Sequence, residues 1–215
     1  MCGICGKLSW VKPVDQKIVE NINTALFHRG PDDGGILSLG NIVLGHRRLS
    51  IIDLTGTGKQ PMSDETGRYH IVYNGMVYNF LELKQDLEKF GYRFRGTSDT
   101  EVVLYSYIHW GVDCFAKFNG MFALAIWDTE EQELLLARDR FGKKPLYYYR
   151  LPDGGIVFAS ELTALVKDLE VPTKISYAAL NCYLGLSYIL SPMTMYEGVE
   201  KLETAHYIII KNRGK

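Results

Sequence analysis

Three things are scarce in this chain of 215 residues. No apolar stretch approaches the ~18 residues needed to cross a bilayer as a helix, so no membrane-spanning segment is expected. Charge of one sign is also missing: 24 Lys and Arg stand against 25 Asp and Glu, a net charge of −1, with no long run of either. A duplex nucleic acid would find no basic face here. Cysteine is confined to four positions, Cys2, Cys5, Cys114 and Cys182. The opening residues lack the basic and apolar regions of a secretory leader, so reduced thiols and a cytoplasmic location are expected. Cys rather than Gly at position 2 excludes the usual myristoylation pattern. Cys2 and Cys5 form a C-x-x-C, but a structural zinc site needs four ligands, and Cys114 and Cys182 have neither a second pair nor a histidine cluster beside them. A thioredoxin-type motif belongs at a helix start after a strand rather than at a chain end. No metal or redox centre is expected.

What is present describes a globular domain with a sizeable core: 47% hydrophobic and 23% charged residues, with 14 Tyr and 9 Phe that favour strands. The pattern predicts a strand from Gly3 to Val11 and an amphipathic helix from Asp15 to Phe27. A turn-rich loop runs from His28 to Gly35, and a hairpin joins Ile36–Leu39 to Ile42–Leu44 through Gly40-Asn41. An apolar run from Leu49 to Leu54 and a loop from Thr55 to Pro61 follow. Tyr69 to Tyr73 reads as a strand with Asn74-Gly75 at its end, and Asn79 to Phe90 as a helix closed by Gly91. Ser98-Asp99-Thr100-Glu101 has the form of a capping box opening a helix to about Trp110. Two strand pairs follow, Met121–Trp127 with Glu133–Arg138 and Leu146–Tyr149 with Gly155–Ala159. Beyond Leu165 two short helical segments and a last strand, His206 to Ile210, are separated by Pro172 and Pro192. Strands in hairpins with interspersed helices point to an α+β fold of two antiparallel sheets covered by helices.

Cys2 stands out because removal of Met1 would make it the first residue. An α-amine ordinarily titrates near ~7.7–8.0, so a useful fraction is neutral at physiological pH and can take a thiol's proton. Nucleophile and base then share one residue. Cys2 alone would equally suit a small buried hydrophobe. Thiol-based acyl transfer also needs fixed donors for an oxyanion and anchors for the substrate. The Asn74 amide and the Gly75 N–H can supply the donors, although Asn-Gly is also a common tight turn. Arg48 can pair with a carboxylate or lie on the surface. Asp99 can hold an ammonium or serve the first turn of a helix. Two look-alikes are dismissed. Around Gly56-Thr57-Gly58-Lys59 a phosphate loop would need Gly at 53 and Ser or Thr at 60, where Asp53 and Gln60 stand. Tyr147-Tyr148-Tyr149 alternate faces, as in a strand.

Together these blocks resemble the N-terminal glutaminase domain of glutamine-hydrolysing asparagine synthetases, a class II glutamine amidotransferase. The matching stretches are Met1-Cys2-Gly3-Ile4, HRGPDD from His28, GHRRLSIIDL from Gly45, Gln60-Pro61-Met62 and YNGMVYNF from Tyr73. They continue with TSDTEV from Thr97, FNGMFALAIWD from Phe118, ARDRFGKKPLYY from Ala137 and FASE from Phe158. The resemblance implies an N-terminal-nucleophile hydrolase fold, an αββα sandwich of two antiparallel sheets. It implies attack of Cys2 on the glutamine side-chain amide, release of ammonia and hydrolysis of the resulting thioester. Carried over, Asn74 and Gly75 form the oxyanion hole, Arg48 binds the α-carboxylate, Asp99 the α-ammonium, and Leu49 and Ile51 line the pocket.

Two departures stand against the family pattern. Glu usually follows the Asn-Gly pair and helps to hold the ammonium; here Met76 stands there, which predicts weaker glutamine binding. Glu203-Thr204-Ala205 replaces a Pro-Pro-Gly-like turn. The resemblance divides the chain into an amidotransferase core, residues 1–165, and a segment of the same domain, 166–215, leading toward a synthetase domain that these residues do not contain. No Ser-Gly-Gly-Leu-Asp-Ser-type loop occurs, so ATP and magnesium are expected only in such a synthetase part and no cofactor in this one. Glutamine and a synthetase domain or separate synthetase subunit are the implied partners, with low or unregulated activity expected without the latter. A homodimer stays open, and neither nucleic acid nor membrane is expected. Ammonia supply to another acceptor, such as a sugar or cell-envelope substrate, and a regulatory domain that has kept only the fold are the alternatives.

Overall fold

A computed structural model describes residues 1–51 and 56–212. Its elements in chain order are β1 (Gly3–Leu8), α1 (Gln16–Ala25), β2 (Asp33–Ser38), β3 (Ile42–Arg48), β4 (Met62–Ser63), β5 (Tyr69–Val77), α2 (Phe80–Lys89), α3 (Asp99–Trp110) and α4 (Cys114–Lys117). Then follow β6 (Gly120–Asp128), β7 (Glu133–Arg138), β8 (Tyr147–Arg150), β9 (Ile156–Ala159), α5 (Leu162–Leu165), α6 (Tyr177–Leu186), β10 (Val199–Lys201) and β11 (Tyr207–Lys211). The strands form two antiparallel sheets, ordered β10-β8-β9-β1-β3-β2 and β11-β7-β6-β5-β4.

Strand alternation sorts the side chains into three apolar layers. Ile4, Leu8, Ile42 and Leu44 of the first sheet meet Val72, Ala123, Ala125 and Trp127 of the second, so the two sheets pack face to face. The outer face of the first sheet carries Cys5, Val43 and Val157 against Val19, Ile22 and Leu26 of the α1 segment and Leu165 of α5. The outer face of the second carries Ile71, Tyr73, Leu124 and Ile126 against Leu83 and Leu87 of α2 and Val103 of α3. This is the expected αββα sandwich. Lys7, on the α1 side of β1 and only 1% exposed, is matched by Asp168 at 2.6 Å and Glu170 at 3.1 Å. Removing one partner of such a buried pair costs about 3–5 kcal/mol.

Several boundaries differ from the sequence expectation. β1 ends at Leu8 because the Ser9 N–H turns to Asn41 O and the Trp10 N–H to Asp153. β2 and β3 reach into the predicted loop and beyond Leu44, pairing Asp33 with Arg48. Asn74-Gly75 is not a turn at a strand end: β5 runs on to Val77, paired with β6 throughout. Gly91, at φ 92, closes α2 as predicted. The capping box forms by half: Ser98 accepts from Thr100 N, while the Glu101 carboxylate takes the N–H groups of Arg95 and Gly96. After Leu165 the described residues form one helix, α6, rather than two, and the short strand β10 was not anticipated; β10 and β11 pair with β8 and β7 at the sheet edges. Residues 52–54 of the apolar run and Thr55 of the following loop lie outside the described residues.

Candidate active site

One end of the sandwich holds a cavity of about 270 Å³. The chain start, the end of β3, the free edge of β5 and the first turn of α3 converge on it. All eight residues singled out by sequence line it: Cys2, Arg48, Leu49, Ile51, Asn74, Gly75, Met76 and Asp99. Ile51 is exposed, whereas Arg48, Asn74 and Asp99 are buried.

Cys2 immediately precedes β1. Its carbonyl oxygen accepts from Arg29 Nε at 2.9 Å, and its Sγ lies 3.5 Å from Leu49 N and 3.7 Å from Leu49 O. Arg29 is itself held by Glu161 at 2.8 Å. Burial pushes the Glu161 carboxyl up, but hydrogen bonds from Arg29 and His28 outweigh it and keep its pKa below the ordinary value. The other half of the C-x-x-C has different surroundings. Cys5 Sγ lies 3.9 Å from Val19 O and 3.9 Å from Asn23 Oδ1, and burial raises its pKa strongly. Among the described residues no group of three or more metal-ligating side chains comes together.

The edge of β5 determines which donors the cavity meets. β4 pairs only with His70 and Ile71, so beyond them that edge carries no strand. Backbone N–H groups of alternate residues face the same edge in an antiparallel ladder. The Tyr73 N–H is taken by Gln60 Oε1 at 2.6 Å and the Val77 N–H by Asp99 Oδ2 at 3.0 Å. Between them the Gly75 N–H points the same way, away from β6, into the cavity. A Cβ at Gly75 would meet Met121 O at 2.6 Å and the Tyr73 ring at 2.7 Å, so only glycine fits this pleat. The pleat also turns Asn74 toward the first sheet, with Val72. Asn74 is 2% exposed and its Nδ2 has no hydrogen-bond partner among the described residues. A buried donor left open costs about 1–3 kcal/mol, and an oxygen placed against it recovers that cost.

Asp99 opens α3 one residue after its N-cap Ser98. Its Oδ2 also accepts from the Tyr73 hydroxyl at 2.7 Å. Burial raises the Asp99 pKa, and the bonds from Tyr73 and Val77 offset part of that rise. Sequence reasoning assigned no role to Tyr73, Gln60, Thr100, Arg29 or Lys144, although all of them fall inside or beside the quoted stretches. Gln60 links the two walls of the cavity, since its Nε2 donates to Thr100 Oγ1 at 3.2 Å while its oxygen holds β5. The Lys144 backbone is fixed by its neighbours: its N–H donates to Asp139 Oδ2 at 3.0 Å and its carbonyl accepts from Arg138 Nε at 2.8 Å.

A family profile described as "Glutamine amidotransferase domain" matches residues 1–215. The chain belongs to this family. The glutamine amidotransferase domain is 34% identical over 219 residues to glutamine-hydrolysing asparagine synthetase 3 of Bacillus subtilis, covering 100% of the chain and 35% of that protein. It is 40% identical over 230 residues to a putative glutamine-hydrolysing asparagine synthetase 2 of Methanocaldococcus jannaschii, covering 97% and 44%. It thus spans less than half the length of these curated relatives. Among solved structures it matches a glutamine phosphoribosylpyrophosphate amidotransferase from B. subtilis complexed with ADP and GMP. That match has a TM-score of 0.65 at 24% identity, over 77% of this chain and 43% of that one. A structure described as the allosteric regulatory enzyme of purine biosynthesis matches with a TM-score of 0.71 at 22% identity, over 99% and 48%. These likenesses show a shared fold, the two antiparallel sheets packed between helices.

Proposed function

We propose that this domain hydrolyses the side-chain amide of glutamine with Cys2 as nucleophile and passes the ammonia to a synthetase part for an asparagine synthetase-type amidation. The observation that carries the reading is the convergence of the Cys2 sulfur, the unpartnered Asn74 amide and the cavity-facing Gly75 N–H in one pocket with Arg48 and Asp99. Once Met1 is removed, the α-amine of Cys2 takes the thiol proton and the sulfur adds to the amide carbon. Asn74 and Gly75 hold the oxyanion. As the C–N bond breaks, the amine returns the proton to the leaving nitrogen, which departs as ammonia. Water, deprotonated by the same amine, then attacks the γ-glutamyl thioester. The C–S bond breaks, the amine returns its proton to the Cys2 sulfur, and glutamate leaves as its γ-carboxyl loses a proton to solvent.

Arg48 holds the α-carboxylate and Asp99 the α-ammonium; Leu49 and Ile51 close the pocket around the methylenes. Met76 presents a thioether where the resemblance places a carboxylate, so the ammonium rests on Asp99. The steps assigned to this chain use its own groups, glutamine and water, and ATP and magnesium belong to the synthetase part. α6 supports a partner surface: it buries Ala179 while Tyr177 and Leu184 stand exposed. Protein with Met1 removed should form glutamate from glutamine, and Cys2→Ala should abolish this with the fold intact. A diazo-ketone glutamine analogue should add one label, at Cys2. Ammonia release that survives Cys2→Ala, or labelling that follows Cys5, Cys114 or Cys182, overturns the reading.

A further inference from the structure

The reaction leaves one buried charge in the cavity unused. Among its described lining residues the charged side chains are Arg48, Asp99 and Lys144. Zwitterionic glutamine engages one cation and one anion, which accounts for Arg48 and Asp99. Lys144 is 6% exposed, and among the described residues its ammonium makes no ion pair. Its Nζ contacts Met1 Sδ at 3.3 Å, a thioether that accepts hydrogen bonds only weakly. That contact disappears when Met1 is removed, leaving the ammonium facing the space beside Cys2.

The groups around it do not neutralise it. Arg29, on the same side, is a second cation, and Glu161 is committed to it. The Asp139 carboxylate accepts backbone N–H groups from Phe122, Phe141, Lys143 and Lys144. Tyr73 and Asp99 are bonded to each other. Burial and the Arg29 charge lower the Lys144 pKa, while the charges of Cys2 and Asp139 act the other way. Among the described residues this leaves a cation without enough counter-charge. The Arg138 and Asp139 bonds hold the Lys144 backbone, so the side chain is anchored at its base rather than free to swing to solvent.

We infer that Lys144 forms an anion subsite at the nucleophile end of the cavity that takes the ω-carboxylate of an acidic amino acid, glutamate above all. This rests on the glutaminase reading. Glutamine brings a neutral amide to that end, and hydrolysis leaves a carboxylate there. Product is therefore held by a charge-assisted bond that substrate does not make, and accumulating glutamate slows the enzyme by occupying the site. Lys144 determines discrimination between two ligands of equal size that differ by one charge.

The test is calorimetric binding of glutamate and glutamine to the Met1-free Cys2→Ala protein, in which neither is turned over. Glutamate should bind at least as tightly as glutamine. Lys144→Met should weaken glutamate by roughly tenfold or more and glutamine less than twofold; Lys144→Arg should restore most of the glutamate affinity. Equal weakening of both ligands in Lys144→Met, or unchanged glutamate binding, overturns the subsite. Should Lys144→Met not fold, the Cys2→Ala protein alone decides: glutamate binding tenfold or more weaker than glutamine also overturns it. None of these outcomes decides whether Cys2 is the nucleophile, which is tested by ammonia release.

Discussion

Met76 and Asn74 share the inter-sheet side of β5, and the Met76 side chain therefore lines the same cavity. On the proposed reading, a thioether there gives the glutamine ammonium nothing to bond, whereas a carboxylate would join Asp99 in holding it. Met76→Glu should lower the KM for glutamine by roughly tenfold with kcat little changed, because one charge-assisted contact is worth about 1.5–3 kcal/mol and is made equally in ground and transition states. Steady-state kinetics of the two proteins checks this, and an unchanged KM removes Met76 as a determinant of affinity. The same residue scale separates the two cysteines of the C-x-x-C. Cys5 is completely buried against α1, while Cys2 opens on the cavity.

At the scale of elements, the free edge of β5 is where structure turns into chemistry. Two of its three cavity-side N–H groups are closed by side chains from elsewhere, Gln60 before β4 and Asp99 on α3. Gln60→Ala would leave the buried Tyr73 N–H open and release the link to Thr100. It should reduce kcat several-fold through loss of alignment at Gly75, leave KM nearly unchanged and lower stability by about 1–3 kcal/mol. Gln60→Glu keeps an acceptor for Tyr73 and should recover much of the rate. Kinetics and urea unfolding on both variants distinguish this from a general loss of fold, which would leave kcat per folded molecule unchanged. Here the sequence was informative in part. Gln60-Pro61-Met62 was recognisable as a block, but the side chain that caps a strand edge 13 residues away has no local signature. Asn74-Gly75 carried a local signature that pointed the wrong way: the commonest hairpin dipeptide lies inside a nine-residue strand because pairing with β6 outweighs the turn preference.

For the whole molecule, the inter-sheet layer contains a fully buried histidine. His46 on β3 is 0% exposed, and burial, only partly offset by the Tyr73 backbone, pushes its pKa down to about 3 from an ordinary 6.5. An unfolded chain therefore binds a proton that the native protein refuses. Stability from this group is fully present above pH 6.5 and is lost as pH falls toward about 3. His70, lowered by burial, acts in the same sense. The carboxylates held below their ordinary range, Asp128 and Glu161 among them, add their own losses only below about pH 4.5. Between pH 6.5 and 5 the decline should thus come from histidine. His46→Leu should flatten it by up to ~1.4 kcal/mol per pH unit. Urea unfolding at pH 7 and pH 5 measures it, and an undiminished slope in the Leu variant shows that His46 is not the group responsible.

The sequence by itself determined the layers. Alternation and helical spacing fix which face of each element is apolar, and two-faced burial leaves a sandwich as the way to cover them all. The ordered blocks of residues pointed to Cys2, Arg48, Asn74, Gly75 and Asp99. Only the tertiary structure decided that the Gly75 N–H faces the cavity between two capped neighbours and that, among the described residues, Asn74 keeps an open donor and Lys144 stands buried without a counter-ion. Those properties depend on which groups from distant parts of the chain arrive at one edge. Periodicity describes a segment's own faces and is silent about what meets them.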